Sequence, residues 1–546
     1  MKPLTLSVFL VVVIGCQSPK YDLIIRNGLI YDGSGSAAIL ADVGVNSDTI
    51  AFIGNLSDEK GGNEVDAEGL AVAPGFINML SWANVALLED GRSQSDLRQG
   101  VTLEVMGEGT SMGPMNEAMK AEALEDQGDI KYEIKWNTLG EYLSYLEEKG
   151  VSTNVTSFVG NGTLREYVIG MEKRKASPEE IKQMQELLDV EMMAGAVGIS
   201  SSLLYAPSSS ADTEELVALA KVAARHNGMY ISHIRSEDDY LLEAIEELIE
   251  ISETAQLPAE IYHLKASGEN NWHKMDSAIQ MIQSARDQGL NITADMYTYP
   301  ASSTGLHTQM PEWTREDGVD AMLERLEDPA IQANILDEIK FQHGPDKILF
   351  VEFKNENLRK YVGRRLSEVA EERGKSPEQT MMDLMLEDRS RIQVVFFAMS
   401  EENIHKIIQL PWVSFCSDAG SYTNEGVFIK QSTHPRAYGS FIRVLGKYSR
   451  DMGLITMEEA IRRLSSLPAE NLKLKKRGKL ERGYYADIVI FDPEKVQDKA
   501  TFEEPHQYAE GMVHVFVNGT AVIKDGDHTG ATPGRFVKGP GYKGQN

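Results

Sequence analysis

The chain has 546 residues, of which 42% are hydrophobic and 25% charged, an ordinary composition for a globular enzyme with more than one folding unit. Its 54 Lys+Arg stand against 83 Asp+Glu, a formal charge of −29. That balance excludes nucleic acid as an expected partner, because phosphate binding needs a basic face; the acidity is spread along the chain and reads as solubility.

The N-terminus reads as an address. Lys2 precedes an apolar run, Leu4 to Ile14, and then Gly15-Cys16. The run falls short of the roughly 20 residues that span a bilayer and fits a signal-peptide core. Val13-Ile14-Gly15-Cys16 resembles a bacterial lipobox, so residues 1–15 are expected to be a lipoprotein signal peptide, with Cys16 carrying the lipid. A short buried strand and an ordinary signal peptide are the alternatives. Gln17-Ser18-Pro19 then forms a short tether, and Gln17 after the cysteine resembles the pattern for outer-membrane sorting. The expected location is the cell envelope, lipid-anchored at the outer membrane and facing the periplasm. There are 2 cysteines, so lipidation of Cys16 leaves Cys416 without an intramolecular partner.

Residues 21–73 alternate apolar and polar positions between turn signals, as in YDLIIRNGLIYDGSG, which predicts strands. The texture returns in GKLERGYYADIVIFD at 478–492 and VHVFVNGTAVIKDG at 513–526. Both ends therefore predict one small β-sandwich, 16–73 with 470–537, and the region between them, 74–469, is inserted into it. That region alternates short apolar strands with helical stretches, which predicts an α/β fold of the (β/α)8 TIM barrel type. Its strands end in polar residues: GVTLEVMGEG, NVTSFVGNG, GAVGISSS, GMYISHIRS, AEIYHLKAS, NITADMYTY and WVSFCSDAG. About ten strand candidates exceed the eight a barrel needs. The surplus, including DKILFVEF at 346–353, is assigned to a charged, helix-rich insertion at about 306–385. The Gly- and Lys-rich tail after Gly530 reads as a loosely packed end.

Several strand ends carry chemistry. His233 closes Gly228–Ser232 and His263 closes the next strand, Glu260–Tyr262, 30 residues on. Tips of neighbouring parallel strands lie about 4.8 Å apart, so two such histidines can reach one cation. Asp418 ends the apolar strand Trp412–Cys416, where a carboxylate can move a proton between water and a leaving nitrogen; a turn before Gly420 is the plainer reading. Glu108 follows GVTLEVMG and supplies an anionic oxygen. Glu104, mid-strand, is the alternative and would need its own buried partner. Arg436 lies in a loop beyond Asp418 and can grip a carboxylate through two donors. Lys265 shares a face with His263 if that strand continues. Tyr205, Tyr297 and Ser303 sit on other strand-tip loops and are candidates for orienting a substrate.

These segments, with VAPGFIN, GISSSLLYAP, DMYTYPASST and THPRAYGSFIRVLG, together resemble the N-acyl-D-amino-acid deacylase (D-aminoacylase) branch of the amidohydrolase superfamily, over about residues 20–537. The resemblance implies a metal-dependent barrel on a small sandwich. It also implies a zinc held by His233 and His263, a catalytic Asp418, and a substrate-carboxylate arginine at Arg436. Lys265, Tyr205, Tyr297 and Ser303 would line the pocket. Two departures stand out. The family's His-x-His pair falls on Leu80 and Trp82, and its metal-binding cysteine falls on Gly109, beside Glu108.

The expectation is one Zn2+ per chain on Glu108, His233 and His263, polarising an amide carbonyl and activating water, with Asp418 as general base and then acid. Tyr297 would donate to the developing oxyanion. The expected substrate is a small carboxylate-bearing amide, an N-acyl-D-amino acid. The alternatives are a hydrolase of D-residue dipeptides or cyclic amides, and a non-catalytic ligand-binding lipoprotein that has lost its metal. Leu80 and Trp82 are expected to form an apolar wall.

Overall fold

The computed structural model describes residues 20–315, 317–341 and 343–544, so Cys16 and the expected signal segment lie outside the described residues. Eight parallel strands form the barrel: β1 (Phe76–Asn78), β2 (Val101–Met106), β3 (Asn154–Ser157, resuming at Val159–Gly160), β4 (Gly198–Ser202), β5 (Met229–His233), β6 (Ala259–Ile261), β7 (Ile292–Met296) and β8 (Val413–Phe415). The ring closes between β8 and β1, where the Asp418 N–H donates to Leu80 O at 2.9 Å and Ser81 bridges Ala419. Inside the barrel, Ile77, Leu80, Leu103, Val105, Phe158, Ile231, Tyr262, Tyr297 and Cys416 make a packed core rather than a pore.

Helices cover the outside for reasons visible in their sequences. Pro178–Ala194 starts with Ser177 and Glu180 in a capping box, has Pro178 in its first turn, and ends at Gly195 with φ +119°. Its buried positions, Met184, Leu188, Glu191 and Met192, follow the i, i+4, i+7, i+8 rhythm of one helical face. Loss of such an N-cap costs about 1 kcal/mol.

The two chain ends meet in one nine-stranded sheet. Ala71–Pro74 from the first half pairs antiparallel with Ile488–Phe491 from the second, Val489 opposite Ala73. Leu23, Ile25, Val43, Ile488, Ile490 and Phe516 bury their side chains together, so the ends share one core.

After β7 the chain leaves the barrel for a three-stranded sheet, Ser302–Gly305, Gln393–Phe396 and Ile348–Glu352, with its own apolar core. Ile348–Glu352 falls within the 306–385 span expected for the insertion, whereas Ser302–Gly305, too polar in SSTG to announce a strand, and Gln393–Phe396 fall outside it. The tail after Gly530 is also not loose. Gly534 N–H donates to Val151 O at 2.8 Å, Val537 N–H to Val155 O at 2.9 Å, and Phe536 is buried.

Candidate metal centre and active site

The C-terminal ends of the barrel strands open into a cavity of about 920 Å³, and the insertion supplies much of the far wall through Ser303, His307, Glu352 and Arg391. At its floor Glu108 Oε1 lies 3.1 Å from His233 Nδ1 and 3.0 Å from His263 Nε2, and the two nitrogens are 2.9 Å apart. All three residues are buried. Hydrogen bonds alone do not satisfy this triangle, because two ring nitrogens facing one another and one carboxylate oxygen cannot all be correctly protonated at once. A single ion with bonds of about 2.0–2.2 Å would reach all three atoms, so the donors fit a divalent metal.

The local backbone explains why position 108 supplies the oxygen. Gly107 and Gly109 flank Glu108 with φ of +98° and +64°. A Cβ on residue 109 would meet Ser202 Cβ at 2.3 Å and Ser202 N at 2.7 Å. A cysteine does not fit there without displacing Ser202, and the neighbouring glutamate reaches the same point. Glu104 does not. It is wholly buried below, with Asn78 donating to Glu104 Oε2 at 3.3 Å and to Asp96 Oδ1 at 3.2 Å. Burial pushes Asp96 up to about 7, and burial together with Asp96 drives Glu104 well above the carboxylate range.

His263 and Asp418 both hold left-handed backbones, φ +36° and +49°, a strain that clusters at functional sites. The Asp295 carboxylate, accepting from His263 N–H at 2.7 Å, and Leu80 O, accepting from Asp418 N–H, hold them there. The strand ends at Ile261, so Lys265 does not reach the site by strand alternation as expected. The turn through His263 instead brings Lys265 Nζ to 2.7 Å from His263 Nδ1.

Glu237 completes this group, and nothing in the sequence pattern singles it out. Its Oε1 accepts from Lys265 Nζ and lies 3.0 Å from His263 Nδ1. A metal on His263 Nε2 would leave the ring proton on Nδ1, facing Glu237 Oε1 across what is here an ion-pair contact, and Lys265, which contacts the same nitrogen, would then donate to Glu237 alone. The residue was already present in the ISHIRSE segment, but the irregular stretch after His233 offers no periodicity to aim it.

The electrostatics favour a cation. Burial opposes ionisation of Glu108, yet its bonds to His233 and His263 hold it well below the usual carboxylate range. Burial likewise opposes Glu237, which Lys265 and the two histidines hold low. His263 is pushed up to about 10: burial and Lys265 oppose its charge, and Glu237 and Glu108 outweigh them.

Arg436 does not lie in a loop; it begins the helix Arg436–Arg443 and is buried. Its Nη1 sits 2.7 Å from Asp418 Oδ2, an ion pair outside hydrogen-bond angles, and its guanidinium lies 4.6 Å from the Tyr297 ring centre. Among the described residues Nε has no hydrogen-bond partner and Nη1 has only its ion pair with Asp418, so donors remain for a ligand. Asp418 is raised by burial, against the pull of Arg436 and His263. Tyr297 donates to Met399 Sδ at 3.3 Å, and burial raises its phenol, which keeps it a neutral donor. Tyr205 shares a 2.8 Å hydroxyl bond with Thr304, and its ring lies 5.2 Å from His233. Ser303 spends its hydroxyl on Val394 O at 2.9 Å and turns its carbonyl to Arg436. Of the expected apolar wall, Trp82 lines the cavity and Leu80 is fully buried in the barrel core.

The amidohydrolase family pattern matches residues 63–523. The chain is 33% identical to a D-aminoacylase of Alcaligenes xylosoxydans xylosoxydans over 525 residues, 95% of this chain and 98% of that one. It superposes with TM-score 0.81 and 32% identity on a D-aminoacylase with a binuclear metal centre, characterised by one-metal activation and second-metal attenuation; 95% of this chain and all of that one are covered. An N-acyl-D-glutamate deacylase from Bordetella bronchiseptica, in complex with zinc and a phosphonate mimic of the tetrahedral intermediate, aligns with TM-score 0.80 and 30% identity over 95% and 100%. With its barrel, its strand-tip Glu-His-His site and similarity along nearly its whole length, the chain belongs to the D-aminoacylase family of metal-dependent amidohydrolases.

Proposed function

We propose that this protein hydrolyses the linear amide of N-acyl-D-amino acids with one Zn2+ held by Glu108, His233 and His263. The observation that carries this reading is the placement of that triad and the Asp418–Arg436 pair around one cavity. When bound, the metal supplies Lewis acidity at the scissile carbonyl and lowers the pKa of a water.

The remaining work falls to side chains of this chain. Asp418 takes the proton of the attacking water and returns it to the departing amine. Arg436 binds the substrate α-carboxylate through the donors left open, which releases Asp418 from its ion pair with Arg436 and orients it. Lys265 adds positive charge on the same side while Glu237 restrains it. Tyr297, neutral and beneath Arg436, is placed to donate to the oxygen that gains charge. Tyr205 and the Ser303 backbone close the pocket towards the insertion. A carboxylate fixed on one side and an amide on the other let only one configuration at the α-carbon turn its side chain into open space.

Paired D and L forms of several N-acyl amino acids test the proposal. It expects turnover of D forms with at least a hundredfold preference; equal rates on both, or turnover only of cyclic amides or D-residue dipeptides, would reject it. Arg436→Ala should raise KM for carboxylate-bearing substrates about 10- to 100-fold, the loss of a charge-assisted pair. An unchanged KM would place the clamp elsewhere.

A further inference from the structure

The first barrel strand ends in a feature that the metal triad does not explain. Trp82 Nε1–H donates to Glu108 Oε2 at 2.9 Å, while Glu108 Oε1 faces both histidines. The two carboxylate oxygens are thereby divided, one for the metal side and one for the indole. Trp82 itself is clamped. Its backbone N–H donates to Ala419 O at 3.0 Å, next to the Ser81–Ala419 bridge that closes the barrel beside Asp418. The residue lines the cavity and is 40% exposed, so it is not a core residue that happens to lie near a glutamate. Leu80, the other residue of the pair, has no exposed surface and offers no ligand atom.

We infer that Trp82 is a positioning residue that takes the place of a second metal: its indole N–H occupies the Glu108 oxygen left over by the triad, and its ring fills the space at the β1 tip. The inference rests on the one-metal reading above and deepens it. A hydrogen bond to an ionised carboxylate is about twice as strong as one between neutral groups, and it fixes the side chain that carries it. Glu108 is therefore held to one-oxygen ligation, its rotamer set before an ion arrives. A second ion would have to displace a tryptophan and would find leucine where a histidine is needed. A D-aminoacylase of this fold has a binuclear centre in which the second metal attenuates activity; here an indole occupies the remaining Glu108 oxygen.

The test is zinc titration of the metal-stripped, purified full-length protein against a chromophoric chelator, with substrate turnover followed separately. Wild type should take up one equivalent, and a tenfold excess of zinc should add none. Trp82→Phe keeps the ring and loses the N–H; it should still bind one equivalent but with Kd raised about 10- to 100-fold, the usual cost of losing an outer partner of a metal ligand. Trp82→Gln, which retains an N–H donor, should recover part of that loss. Leu80→His with Trp82→His should take up a second equivalent. Wild-type affinity in Trp82→Phe would overturn the inference and leave the one-metal reading intact, whereas two equivalents in wild type would overturn both. No zinc bound by wild type would instead overturn the one-metal reading, and this inference with it.

Discussion

Asp418→Asn should keep its metal and lose about 10²- to 10⁴-fold in kcat/KM, the range for removing a general acid–base group. Asparagine preserves the shape, tolerates the φ of +49° and keeps the backbone bond to Leu80, so what is lost is the charged oxygen that accepts the proton and pairs with Arg436. The pH profile gives a second readout. The base must be ionised to act, and burial raises Asp418 above the ordinary carboxylate value of about 3.9. Wild-type kcat/KM should therefore fall as pH drops through that raised value, and the residual activity of Asp418→Asn should lack the limb. Activity within a few fold of wild type would remove Asp418 as the base.

His263→Ala should abolish stable metal binding. It removes one donor of three and also the ring that joins Glu237 and Lys265 to the site. The affinity loss should exceed the roughly 10- to 100-fold cost of an outer-partner mutation. Glu104→Gln is the matched control: its carboxyl sits with Asp96 and Asn78 below the site, so metal content should not change. Metal retained in His263→Ala, or lost in Glu104→Gln, would reassign the ligands.

What was legible in the sequence follows from what pattern can carry. The strands that end the barrel, and the alternating segments at both chain ends, are strong because burial imposes apolar periods on them. His233, His263, Asp418 and Glu108 could be picked out because each follows such a strand directly. Glu237 could not, because it lies in an irregular turn whose direction only the folded backbone sets. The same limit hid the helix that begins at Arg436 and the strand at Ser302–Gly305. The absence of the His-x-His pair was plain from Leu80 and Trp82, but the sequence read Trp82 as a wall. Its bond to Glu108 joins residues 26 apart and depends on a glycine-flanked turn, which composition does not encode.

The most direct test of the central claim is an activity titration. Metal-stripped protein receives increasing zinc while hydrolysis of an N-acyl-D-amino acid and its L form is followed. The account predicts D-specific turnover that rises linearly and saturates at one zinc per chain. No turnover at one equivalent, or a rise that continues to two, would contradict it.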